Sequence, residues 1–183
     1  MTVYRLTWMR EVLTAAGLKV QAVDGWEQRG HGDVLPTKGI ICHHTCGPRT
    51  GDIQDLHVLV EGRSDLPGPI ANLGLARSGV YWCVAAGRAY HAGVGSWQGI
   101  ETGNMSFIGI EAENVGDHTD PWPDVQMDAY KRGCAAILKH VGAQPIMCAG
   151  HKEFALPHGR KDDPDFDMVA FRADVAKLMG GQP

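Results

Sequence analysis

The chain has 183 residues, 44% of them apolar and 21% charged, a composition that fits one globular domain with a sizeable core. A net charge of −4 argues against a nucleic-acid binder, which would carry a basic face. No stretch approaches the ~20 apolar residues that span a bilayer, and Arg5, Arg10 and Glu11 interrupt the start, so neither a membrane helix nor a secretory leader is expected.

Residues 6–16 carry Leu6, Met9, Val12, Leu13 and Ala16 near helical spacing, which predicts a first helix. A turn-rich stretch over 24–38 leads to Gly39-Ile40-Ile41-Cys42-His43, a short buried strand. Residues 53–60 read as a helix. The apolar runs 71–76 and 80–85 flank Arg77-Ser78-Gly79, a hairpin signal. Another apolar strand covers 107–112. The best helix is 124–141, with Val125, Tyr130, Cys134, Ile137, Leu138 and Val141 on one side and Gly142 as its stop. A last strand is expected at 146–149 and a last helix over 167–179, where Val169, Phe171, Val175 and Leu178 recur with helical period. Strands separated by helices predict a single α/β domain, a mixed sheet covered by helices. Five cysteines without a C-x-x-C pair read as mostly reduced, buried thiols.

Three places could carry chemistry. His43 and His44 close a strand, and because strand side chains alternate, only His43 shares the face of Ile41. Zinc favours imidazole nitrogen and carboxylate oxygen, with three protein ligands in a catalytic site. A lone histidine at a strand end is more often just a satisfied polar residue, so His43 needs partners. Gly150-His151-Lys152-Glu153 and Gly159-Arg160-Lys161-Asp162-Asp163-Pro164 offer a histidine, a lysine and carboxylates on a loop that can fold back, although Lys-Asp-Asp-Pro is equally a turn sequence. Glu111 lies within an apolar strand, where burial raises a carboxylate pKa toward the range of a general base and a nearby cation opposes that shift. Glu113, two residues on, is its rival on the same face.

Taken together, Ile40-Ile41-Cys42-His43-His44-Thr45, Tyr90-His91-Ala92-Gly93, Phe107-Ile108-Gly109-Ile110-Glu111, Gly150-His151-Lys152-Glu153 and Gly159 to Pro164 resemble, in order, the N-acetylmuramoyl-L-alanine amidase family, whose fold is shared with peptidoglycan recognition proteins. The end, with Phe166-Asp167 and Phe171-Arg172, is similar to actinobacteriophage endolysins. The resemblance spans residues 39–171 and implies a central mixed sheet flanked by helices. It also implies a bound Zn2+ with His43, His151 and Asp163 as ligands, Glu111 as the catalytic acid-base and Lys161 as the transition-state cation. The loop between His151 and Asp163 is about two residues longer than is usual in the family, around Leu156-Pro157-His158, which leaves Asp162 as an alternative ligand. Asn72 stands where many relatives have Tyr or His and, with His91, is a candidate for substrate contact. Trp82, Trp97 and Trp122 are candidates for packing on sugars, though each is more often core.

The organisation expected is an N-terminal helix and connecting segment over 1–38, a zinc amidase core over 39–179 and a tail or linker start over 180–183. The implied substrate is bacterial peptidoglycan, cut between N-acetylmuramic acid and L-alanine by a monomer. The setting implied is a phage endolysin held in the host cytoplasm until lysis. Alternatives are a non-catalytic peptidoglycan-binding module, in which a zinc ligand is usually missing, and a cytoplasmic wall-recycling amidase. A zinc peptidase is disfavoured by the absence of H-E-x-x-H.

Overall fold

The structure, a computed structural model, describes residues 4–180; the rest of the expected tail, residues 181–183, lies outside the described residues. The first helix is broken in two. A 3-10 turn, Arg5–Trp8, contains the non-helical Leu6 and is followed by α1, Met9–Ala15. Then come β1 Val20–Ala22, β2 Gly39–His44, α2 Leu56–Glu61, and the two-residue strands β3 Gly62–Arg63 and β4 Leu66–Pro67. They are followed by β5 Leu73–Leu75, β6 Tyr81–Cys83, α3 Gly103–Ser106 and β7 Phe107–Ala112. The chain ends with α4 Asp124–Val141, β8 Cys148–Gly150, α5 His151–Phe154 and α6 Met168–Leu178.

Six strands form one mixed sheet in the order β1-β6-β5-β7-β2-β8, parallel except for the β5–β6 hairpin. The hairpin turns at Gly79, whose φ of +79° lies in the left-handed region that glycine enters without strain. β2 lies between β7 and β8 and is buried at every residue, as an apolar run covered on both faces should be. One face carries α1, α4 and α6 over a core that includes Ile40, Cys42, Tyr130, Leu138 and Phe171. The other carries α2, α5 and the loops, with Phe154 of α5 packed on Ile41 and Phe107 and with Ile53 and Leu59 over β5.

Several boundaries moved for local reasons. The helix expected from 53 starts at Leu56, because Ile53 has a φ of +57° outside helical space. The last strand is shifted to Cys148–Gly150, since Pro145–Met147 coils as a 3-10 turn with proline near its start. β1 was not anticipated: three residues pairing only with β6 leave too short a pattern to read. α4 keeps its expected limits. α6 starts after Asp167, whose side chain accepts the Val169 and Ala170 N–H groups as an N-cap.

Candidate metal centre and cleft

In the β2–β7 register His43 lies opposite Glu111, so two parallel neighbours place an imidazole and a carboxylate side by side on the face of Ile41. β8 pairs with the other edge of β2, and α5 begins directly after it, so His151 enters from that side. The following loop does fold back. Its Asp163 carbonyl accepts the Lys152 N–H at 2.7 Å, and the Lys152 ammonium donates to the Phe166 carbonyl at 2.8 Å. Glu153 holds the β8–α5 corner by accepting the Gly150 N–H at 2.8 Å and pairing with Arg172 at 2.6 Å.

Three atoms converge as a result. His43 Nδ1 is 3.1 Å from His151 Nδ1 and 2.9 Å from Asp163 Oδ2, and His151 Nδ1 is 3.0 Å from the same oxygen. All three residues are buried. Two imidazole nitrogens and one carboxylate oxygen are the donor set of a catalytic zinc site, and bonds of roughly 2.0–2.1 Å at tetrahedral angles put such donors about 3.3 Å apart. The residues therefore fit the ion. Asp162, one position earlier, is exposed on the cleft wall and stands outside this cluster.

The electrostatics follow from burial and proximity. Burial, with the neighbouring His151, lowers the His43 pKa to about 4 despite Asp163. Burial works to raise the Asp163 pKa, but hydrogen bonds with His151 and His43 prevail and hold it well below the usual carboxylate range. Glu111 goes the other way: burial and the Asp163 charge push its pKa well up, against the weaker pull of Lys161 and Arg63. Its Oε1 is 3.8 Å from His43 Nδ1, while its buried Oε2 has no hydrogen-bond partner. Glu113 is committed elsewhere. Its carboxylate accepts the Gln54 N–H at 2.9 Å, bracing the loop before α2 rather than facing the cleft.

The site opens into two adjoining hollows of about 240 and 250 Å³ that share Leu66, Tyr90, His91, His151 and Lys161. Asn72, a candidate for substrate contact, is buried and lines neither hollow. Its amide donates to the Ala85 and Gly87 carbonyls at 3.1 and 2.9 Å and accepts the Gly109 N–H at 3.0 Å, which uses its hydrogen-bonding capacity inside the fold. His91 borders both hollows but is only 7% exposed, with its ring against His43. The tryptophans are placed elsewhere: Trp97 donates to the Ile146 carbonyl, Trp122 donates to Asp165, and Trp82 packs near Ile53 and Leu59.

Sequence reasoning missed Arg63, Asp55 and Tyr90 on the cleft wall and Tyr130 beneath it. The Tyr130 hydroxyl accepts the His43 N–H at 3.0 Å and donates to the Ile110 carbonyl at 3.0 Å. Only Tyr90, beside His91 in a quoted motif, had a signal.

Residues 33–166 match the N-acetylmuramoyl-L-alanine amidase family, nearly three quarters of the chain. The chain belongs to that family. Among curated amidase relatives, the 1,6-anhydro-N-acetylmuramyl-L-alanine amidase AmpD of Enterobacter cloacae is 36% identical over 89 residues, 47% of this chain and 45% of that protein. The chain thus spans about half the length of the curated relatives it matches. Solved amidase structures share the fold. The catalytic domain of XlyA gives a TM-score of 0.63 at 16% identity, covering 86% of this chain and 99% of that one. AmiD from E. coli, solved with anhydro-N-acetylmuramic acid-L-Ala-D-gamma-Glu-L-Lys, gives 0.61 at 20% identity, covering 80% and 60%.

On the opposite face of β2, the Cys42 sulfur lies 3.6 Å from that of Cys148 and 4.0 Å from that of Cys134. These are weak S–H···S hydrogen bonds between thiols within the apolar core, and all five cysteines are free, with only Cys46 exposed. No helix among the described residues is long and apolar enough to cross a membrane.

Proposed function

We propose that the protein is a zinc-dependent amidase that hydrolyses the bond between N-acetylmuramic acid and L-alanine in peptidoglycan. The observation carrying this reading is the convergence of His43, His151 and Asp163 at 2.9–3.1 Å beside a buried Glu111, in a chain of this family. Zinc held by these three residues supplies Lewis acidity, polarising a carbonyl and making water nucleophilic near neutral pH.

The remaining work falls to the chain. Glu111, kept basic enough by burial, takes a proton from the attacking water at its carboxylate and returns it to the leaving amide nitrogen. The Lys161 ammonium, on the wall shared by both hollows, stabilises the oxyanion that develops on the scissile carbonyl. The hollows on either side of Tyr90 and Lys161 take the muramyl and peptide portions of the substrate.

We place the enzyme as a phage endolysin domain that acts on the wall after release from the host cytoplasm. A second setting, wall recycling, is favoured by the AmpD relatives, which are 1,6-anhydro-muramyl amidases. A purely binding module is disfavoured because all three donors and Glu111 are in place. The test is zinc analysis of purified protein together with mass spectrometry of digests of intact sacculi and of soluble anhydro-muropeptide. Free stem peptide beginning with L-alanine, released from sacculi, supports the endolysin setting. Release from the soluble substrate alone supports recycling, and new termini between amino acids would overturn the amidase reading.

A further inference from the structure

Resting on the metal site proposed above, the geometry points to His91 as a positioning residue, which holds His43 in the tautomer that turns its Nδ1 lone pair toward that site. His91 Nε2 lies 3.2 Å from the Phe107 carbonyl, and a carbonyl only accepts, so the ring proton of neutral His91 sits on Nε2. His91 Nδ1 is then an acceptor, and the nitrogen it faces at 3.2 Å is His43 Nε2. With zinc bound, His43 then carries its proton on Nε2, which leaves Nδ1 bare toward the ion instead of donating to Asp163. The next residue completes the arrangement. The Ala92 carbonyl lies 2.9 Å from His151 Nε2, so it accepts that proton and leaves His151 Nδ1 bare as well.

Residues 91 and 92 thus set both imidazoles, one by a side chain and the other by a backbone oxygen. The segment is itself clamped: Asn104 Oδ1 accepts the His91 and Ala92 N–H groups at 2.9 and 2.8 Å. The ring of His91 packs against Gly109, where a Cβ would come within 2.4 Å of His91 Cγ, so the strand makes room for it. This accounts for a histidine that is buried beside the cleft rather than offered to it.

Zinc affinity is measured by chelator competition for the unaltered protein, His91→Ala, His91→Asn and Gly109→Ala. The proton position on His91 is read from two-bond 1H–15N spectra of the metal-free and zinc-loaded protein. Loss of an outer partner of a ligating histidine weakens metal binding about 10–100-fold, the loss expected for His91→Ala and for Gly109→Ala. His91→Asn, whose Oδ1 can stand in for Nδ1, should recover most of the affinity. His91→Ala binding zinc as tightly as the unaltered protein, or His91 protonated on Nδ1, overturns the proposal. If His91→Ala fails to fold, the spectra of the unaltered protein and the His91→Asn affinity still decide it. Unaltered protein that takes up no zinc would sink the metal reading instead, while the metal-free tautomer judges His91 separately.

Discussion

Replacing Glu111 with glutamine should make the protein a worse enzyme and a more stable fold. The carboxylate is 14% accessible, one oxygen has no partner, and its pKa is raised. The sign follows from linkage. Below its ordinary value of 4.5, Glu111 is protonated in both folded and unfolded chains and costs nothing. Above that value the unfolded chain releases the proton while the folded one keeps it, so stability falls as pH rises toward the folded pKa. Each pH unit of that window is worth about 1.4 kcal/mol, or roughly 3–6 °C in Tm for a domain of this size. Glutamine cannot ionise and escapes the loss. Metal-free Glu111→Gln should therefore melt above the unaltered protein at neutral pH, with the gap closing by about pH 4. Turnover of muropeptide should fall about 10²–10⁴-fold, the usual contribution of a general base, with zinc content unchanged. Melting curves across the pH range, read beside product release, give both halves. A gap that does not vary with pH refutes the linkage, and turnover within about threefold refutes the catalytic role.

Asp163→Asn should strip zinc and activity together, whereas Asp162→Asn should leave zinc content near the unaltered value, since only Asp163 meets both histidines. Metal analysis of the two variants separates them. Tyr130→Phe leaves the buried His43 N–H without its partner, which costs about 1–3 kcal/mol. Thermal or urea unfolding should register that as a clear loss, and an unchanged midpoint would mean that the hydroxyl is dispensable. Asn72→Ala orphans two carbonyls and one N–H within the core, so we expect a destabilisation of about 2–3 kcal/mol or more by urea unfolding. A raised KM without loss of stability would return Asn72 to the substrate.

Where hydrophobic period alone decides structure, the sequence was readable. The strand through Ile40 and Ile41, the strand ending in Glu111 and the helix from Asp124 to Val141 each bury a pattern long enough to identify. Strand alternation likewise separated His43 from His44, because that choice depends only on neighbouring residues. Tertiary structure decided what depends on distant partners. Three-residue strands such as Val20–Ala22 gain their definition from β6, and Asn72 became a core clip only once Gly87 and Gly109 stood around it. The family resemblance had already favoured Asp163 and Glu111; what the fold adds is that a folded-back loop brings Asp163 against His151 while Gln54 ties down Glu113. A side chain's role at such positions is set by groups tens of residues away, and a local pattern carries no record of them.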